Sequence, residues 1–236
     1  MTKSSAAIVG VGLIAALGLL GAQLSDALIA FKTWDRVVTV KGLSEREYPA
    51  DHVIWPIQYT EASNDLPALY RTLEGHAATI KAFLTEHGVN GGEVTVNQPE
   101  VTDKLAQQYG GGENVKYRYR ASQTITVYSD DVEKVRAIMP AITDLLKEGI
   151  VFSAQQWDTK PQFVFSRLND VKPEMIEEAT VNAREVAEKF ARDSQSQLGK
   201  IKRANQGQFS ISDRDGHHPY IKKVRVVSTI EYTLID

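Results

Sequence analysis

The stretch from Ala6 to Leu24, AAIVGVGLIAALGLLGAQL, constrains this chain more than any other. It has no charge and one polar side chain, Gln23. As a helix its nineteen residues span about 28 Å, close to the ~30 Å hydrocarbon core of a bilayer. Ala27 to Phe31 continues the apolar run past Ser25 and Asp26. A helix buried in a soluble domain normally keeps a polar face, and this one has none. A cleaved signal peptide has a positive start, here Lys3, and a small-residue cleavage site, for which Ser25-Asp26-Ala27 has the spacing. The acid inside that site and the length of the run favour an uncleaved single-span anchor over residues 1–35. Ala6, Ile8, Leu13, Leu17, Leu20 and Leu24 are its expected bilayer-contacting residues. Lys3 and the amino terminus favour a cytoplasmic N-terminus, although Lys32 and Arg36 on the other side thin that asymmetry. Gly12/Ala16 and Gly18/Ala22 have the small-xxx-small spacing of packed anchor helices. In so Gly- and Ala-rich a segment, chance explains it better.

What remains, residues 36–236, is long enough for a sizeable core. With 42% hydrophobic and 24% charged residues the composition is that of a globular protein. A formal net charge of −3 offers no reason to expect nucleic acid, whose binding rests on neutralising phosphates. The chain has no cysteine, which excludes disulfides, thiolate nucleophiles and thiolate metal sites.

Beyond the anchor, hydrophobic periodicity alternates between two and about three and a half. Val38 and Val40 open a strand, and Pro49-Ala50-Asp51 reads as a turn. Val53, Trp55, Ile57 and Tyr59 share one face of a second strand. Pro56 cannot donate to a ladder, so that strand is expected at an edge or bulged. Asn64 or Asp65 caps a helix with Pro67 in its first turn, an apolar stripe from Leu66 to Leu84, and a stop at Gly88. Strands over about 93–107 and 115–128 follow, joined by the flexible tip QYGGGEN. That tip is no phosphate loop, because neither a helix signal nor Gly-Lys-Ser/Thr follows it. A second helix runs from Val132 through Leu146 with Pro140 inside it. The proline costs about 3 kcal/mol, which the continuing apolar stripe outweighs, so a kink is expected. A strand over about 150–165 leads to a third helix, roughly Pro173–Ser196, whose alanines imply close packing on a sheet. Strands over about 200–212 and 220–235 complete the chain. The predicted fold is α+β, with a mainly antiparallel sheet, helices on one face, and the order ββαββαβαββ after one transmembrane helix.

VTVKGLSEREYPAD after an N-terminal hydrophobic segment resembles the opening of SIMPL-domain proteins. DVEKVRAIMPAITDLLKEGI, ATVNAREVAEKFA and IKKVRVVSTIEYTL resemble their central helix, Ala-rich helix and last strand. The resemblance covers about Arg36 to Leu234. It implies a bacterial cell-envelope protein, periplasmic and often anchored, with a tendency to build ring-like or channel-like homo-oligomers. Some relatives are periplasmic immunogens or are linked to oxidative-stress tolerance. The family has no established catalytic residues, so none transfers.

The residues themselves offer two clusters. Glu45 and Glu47 share strand parity, and paired carboxylates do acid–base work when burial separates their pKa values. Charges at the end of an edge hairpin more often meet water or another subunit, so Lys41, Glu45, Arg46, Glu47 and Trp55 are read as candidate subunit-interface residues. Asp213, Asp215, His217 and His218 in DRDGHHPY have metal-ligand chemistry. Asp-Gly followed by Pro is also strong turn chemistry, and an exposed hairpin tip is the reading preferred. His52, His76 and His87 are scattered and suggest no triad. The expectation is therefore a membrane-anchored, non-enzymatic envelope scaffold with a periplasmic main domain, whose partners are copies of itself, the bilayer and an unidentified envelope component. No catalytic residue, metal or cofactor is expected. The alternative is a periplasmic ligand- or partner-binding module linked to stress protection, and a hydrolase or metalloenzyme stands third.

Overall fold

The computed structural model of the chain describes residues 12, 16–24, 36–106, 116–153 and 159–235. In chain order the strands are β1 Val37–Pro49, β2 His52–Ser63, β3 Val94–Val96, β4 Glu100–Asp103, β5 Tyr119–Ser129, β6 Val151–Phe152, β7 Gln162–Val164, β8 Gln197–Gln206, β9 Ser210–Asp213 and β10 Ile221–Ile235. The helices are α1 Leu66–Glu86, α2 Val132–Ile138 and α3 Leu168–Asp193, with 3₁₀ segments at Gly91–Glu93 and Met139–Glu148. The fold is α+β with antiparallel sheets, as expected. The order is ββαβββαββαβββ rather than ββαββαβαββ, because three expected strands are broken. Pro99 separates β3 from β4, and Gly207 lies in the gap between β8 and β9.

Residues 16–24 are helical and exposed, Leu17, Leu20 and Leu24 among them. Ala6, Ile8 and Leu13 lie outside the described residues, as does the tip QYGGGEN. No helix among the described residues is long and apolar enough to cross a membrane.

The chain forms two compact units. One holds Met1–Arg46, Asn169–Ser210 and Val224–Asp236, the other Glu47–Leu168 and Ile211–Lys223. The first is a sheet with β10 between β1 and β8, covered by α3. Alanines 179, 183, 187 and 191 with Met175 form a stripe at four-residue spacing, all buried, which is the side of a helix that faces one neighbour. Small side chains let the helix axis come close, and the sheet answers with a glycine. A Cβ on Gly42 would lie 1.7 Å from the Ala179 carbonyl oxygen and 2.6 Å from the Ala183 nitrogen. The helix begins five residues before the expected Pro173. Proline there forfeits one intrahelical bond, close to the end where the first turn lacks partners anyway.

The second unit is the six-stranded sheet β3-β5-β2-β6 with β4 on β5 and β7 on β2. Val53, Trp55, Ile57 and Tyr59 of β2 and Ala121, Ile125 and Val127 of β5 are buried against Leu69, Leu73, Ile80 and Leu84 of α1 and Val132, Val135 and Ile138 of α2. Asp65 caps α1 by accepting from the Ala68 amide at 2.8 Å, and Gly88 takes φ +84° beyond its end. β2 is not an edge strand. It pairs with β5 along its whole length, while β7 pairs with residues 52–54 and β6 with 59–60. Pro56 falls between those last two stretches, so its missing N–H leaves no gap in the described ladder. At Pro140 the helix does not simply kink. α2 ends at Ile138 and the chain continues as 3₁₀, with Pro140 in its first turn, because the ring bars the α-helical carbonyl four residues back. Leu145 still reaches the core, whereas Leu146 does not.

Gly42→Ala should therefore cost about 1–3 kcal/mol, since the added methyl meets backbone on a packed helix. Gly75→Ala, mid-helix in α1 with nothing within 4 Å of the new Cβ, should stabilise by about 0.5–1 kcal/mol. Urea unfolding of the two variants beside the parent chain measures both.

Candidate functional site

Strand parity divides the charged opening of β1. Gly42, Ser44 and Arg46 face α3, while Lys41, Leu43, Glu45 and Glu47 face the other way and are exposed. Ser44, buried, donates to Glu178 Oε2 at 2.9 Å. Arg46 reaches Glu178 at 2.8 Å and Glu174 at 2.7 Å. Asn182 donates to the Leu43 carbonyl at 2.8 Å. Arg46 thus clamps α3 to its own sheet, and the groove of about 340 Å³ it borders also carries Glu177 and Val181. Glu45 and Glu47 do not converge on a reacting centre. Glu45 lies 3.6 Å from Arg225 and Glu47 lies 3.7 Å from Arg214. Trp55 is 6% exposed in the core of the second unit, which removes it from the candidate interface. Its place in the alternating β2 stripe was the signal for that.

β1 and β2 do not form a hairpin. β1 pairs with β10 and β2 with β5, so the turn between them changes sheet. Asp51 organises that turn. Its carboxylate, 12% exposed, accepts from the Ser166 amide at 2.9 Å, the Arg167 amide at 3.2 Å, the Arg167 guanidinium at 3.3 Å and His52 Nδ1 at 2.8 Å. Burial pushes the carboxyl up, but the hydrogen bonds from His52, Ser166 and Arg167 outweigh it and hold it below the ordinary value.

The DRDGHHPY segment is a self-satisfied turn. Asp215 accepts from the His217 and His218 amides at 2.8 and 2.9 Å and from His218 Nδ1 at 2.8 Å. Those bonds, the His218 side chain first, hold its carboxyl well below the usual range. Asp213 is taken up by Lys222, and Arg136 stacks on Tyr220, its guanidinium carbon 3.3 Å from the ring centroid. Among the described residues no group of three or more metal-ligating side chains converges.

Sequence spacing missed one buried polar cluster. The single Tyr59 hydroxyl proton is shared between Gln123 Oε1 and the Leu73 carbonyl, 3.2 Å away, with His76 packed edge-on against the ring. Burial pushes the Tyr59 phenol up to about 12, so it remains a donor at neutral pH. His76 lies 4.0 Å from Glu61, and its Nδ1 has no hydrogen-bond partner.

Two features of the first unit face outward. The sheet ends in β1 on one side and β8 on the other. Every residue of β8 from Lys200 to Gln206 is exposed, Ile201 at 43%. A groove of about 430 Å³ runs between α3 and β8, lined by Arg184, Glu188, Leu198, Lys200, Ile201 and Tyr232. Tyr232 is 1% exposed and its hydroxyl has no partner. A buried hydroxyl left unsatisfied costs about 1–3 kcal/mol. The lining of the groove combines the charged Arg184, Glu188 and Lys200 with the apolar Leu198 and Ile201. The alanines of α3 foretold close packing, but a groove at the helix margin has no sequence signature.

Asp51→Asn should destabilise the protein by about 1–3 kcal/mol at pH 7 by weakening a partly buried, charge-assisted set of hydrogen bonds. The folded carboxyl titrates below its unfolded value of about 3.9. Its contribution is therefore complete above that value and is lost as pH falls through the folded titration. Denaturation curves between pH 7 and pH 2 should show parent and variant converging as pH falls.

Among curated proteins none matches the chain. The SIMPL family, described as a protein of unknown function (DUF541), matches residues 38–227, which reaches into both compact units. The chain belongs to the SIMPL family.

Proposed function

We propose that this chain is a membrane-anchored, non-enzymatic assembly protein of the bacterial envelope. Its main domain stands on the periplasmic side, and its copies join as a ring-like or channel-like homo-oligomer. The observation that carries this reading is β8, a ten-residue edge strand whose last seven residues are exposed. Such an edge presents backbone donors and acceptors to any strand of matching length. β1, the opposite edge, is thirteen residues long. Charge selects how the edges meet. β8 carries Lys200, Lys202 and Arg203 and no acid, so two copies of β8 repel, while β1 carries Glu45 and Glu47 beside Lys41, its Arg46 being held by Glu174 and Glu178. Pairing β1 of one copy with β8 of the next is head-to-tail, and such contacts close into rings when the rotation allows. Many anchors held in one ring would strengthen membrane attachment by multivalency.

Light scattering and electron microscopy of the full-length protein in mild detergent should show one defined large particle, and a monomer would overturn the reading. Glu45→Lys with Glu47→Lys should shrink the particle by placing like charges on both edges. Adding Lys202→Glu and Arg203→Glu should restore it.

A second reading, capture of an envelope ligand in stress protection, is favoured by the groove between α3 and β8.

A further inference from the structure

An anchor over residues 1–35 would hold one end of the first unit near the bilayer, and that end carries exposed apolar side chains. The apolar run of the N-terminal segment ends at Phe31, and Arg36 follows five residues later, at most about 18 Å of extended chain. The Leu234 amide donates to the Arg36 carbonyl at 2.9 Å, and neighbouring Ile235 pairs with Gln197. The last turn of α3 comes to the same end. There the Ser194 amide donates to the Phe190 carbonyl at 3.0 Å and the Ser196 amide to the Ala191 carbonyl at 2.9 Å, just before β8 opens at Gln197. Phe190 is 55% exposed and Ile235 54%. Val186, one turn back on the flank of α3 that carries Phe190, is 42% exposed.

The buried alanine stripe seats α3 on its sheet without either of these two larger side chains. An apolar pair one turn apart, flanked by the exposed cations Lys189 and Arg192, suits a helix end resting on a membrane surface. The apolar groups enter the acyl boundary there, and long cationic side chains reach back to the headgroups. Arg184, Lys189 and Arg192 balance Glu185, Glu188 and Asp193 along those turns, so apolar contact, and not attraction to anionic lipid, has to hold it. We propose that this end of the first unit docks on the bilayer through Val186, Phe190 and Ile235. The proposal rests on the membrane-anchored reading: the anchor keeps the unit close to the lipid, and the apolar patch sets which way it faces.

Because the chain has no cysteine, a single one can be introduced and labelled with a small fluorophore. The full-length protein is placed in phosphatidylcholine nanodiscs whose lipid carries a quencher on the acyl chain near the headgroup. Three labelled variants are compared: Leu20→Cys in the N-terminal segment, Gln197→Cys beside Ile235, and Glu177→Cys in the N-terminal half of α3, all at exposed positions. The label at position 20 should be strongly quenched, and that at 197 at least about threefold more than that at 177. Phe190→Ser with Val186→Ser should bring quenching at 197 down to the level at 177 and leave that at 20 unchanged. Strong quenching at 20 with equal quenching at 197 and 177 would overturn docking and leave the anchor standing. No quenching at 20 would overturn both. Quenching at 197 that survives the double substitution would overturn the assignment of the patch.

Discussion

The contact between Gly42 of β1 and the backbone of α3 at Ala179 and Ala183 is the constraint on which the first unit depends. Close packing there is possible because one side offers a methyl and the other only a hydrogen. The close approach sets the parity of β1. With Gly42 inward, Ser44 and Arg46 must also face the helix, where Glu174 and Glu178 receive them. Lys41, Glu45 and Glu47 are thereby turned to the opposite side. A one-residue slip would reverse all of these at once, which is why register is strongly specified wherever one face of a sheet is buried.

With α3 fixed on β1 and β10, the rest of the surface follows. The alanine stripe covers the middle of the sheet and leaves most of β8 beyond its reach, since small side chains bring a helix close but shade little area. The exposed edge and the groove beside it thus share one cause. Arg46, read from the sequence as a candidate interface residue, is held by two carboxylates and works as a clamp. Asp51 and Asp215 likewise have their oxygens taken up by backbone amides, those of Ser166 and Arg167 for Asp51 and those of His217 and His218 for Asp215. These titratable groups hold turns and a helix in place.

The elements that differ from expectation do so for identifiable reasons. β2 and its proline read locally as an edge, yet interruption between β6 and β7 lets an interior strand accept Pro56. β1 and β2 are consecutive and joined by a short link, which looks like a hairpin, but Tyr220 and Val164 take the Ala50 and Asp51 amides and the chain changes sheet. Phe190 and Val186 fit the apolar period of α3 but stay exposed, because a stripe of alanines makes a contact narrower than the hydrophobic pattern suggests.

By itself the sequence determined the local periods: the alternation of β2 and β5, the capped helix from Asp65 to Gly88, the alanine face of α3, and the turn chemistry of DRDGHHPY. These depend on residue type at short spacing, which backbone geometry translates directly. It also determined family membership, which rests on the order of several weak segments. Tertiary structure alone decided which strands pair, that Trp55 is core, that Tyr59, Gln123 and His76 meet, and that Tyr232 is buried with its hydroxyl unpartnered. Each of these joins residues far apart in the chain, and no local period records which distant residue a side chain will meet.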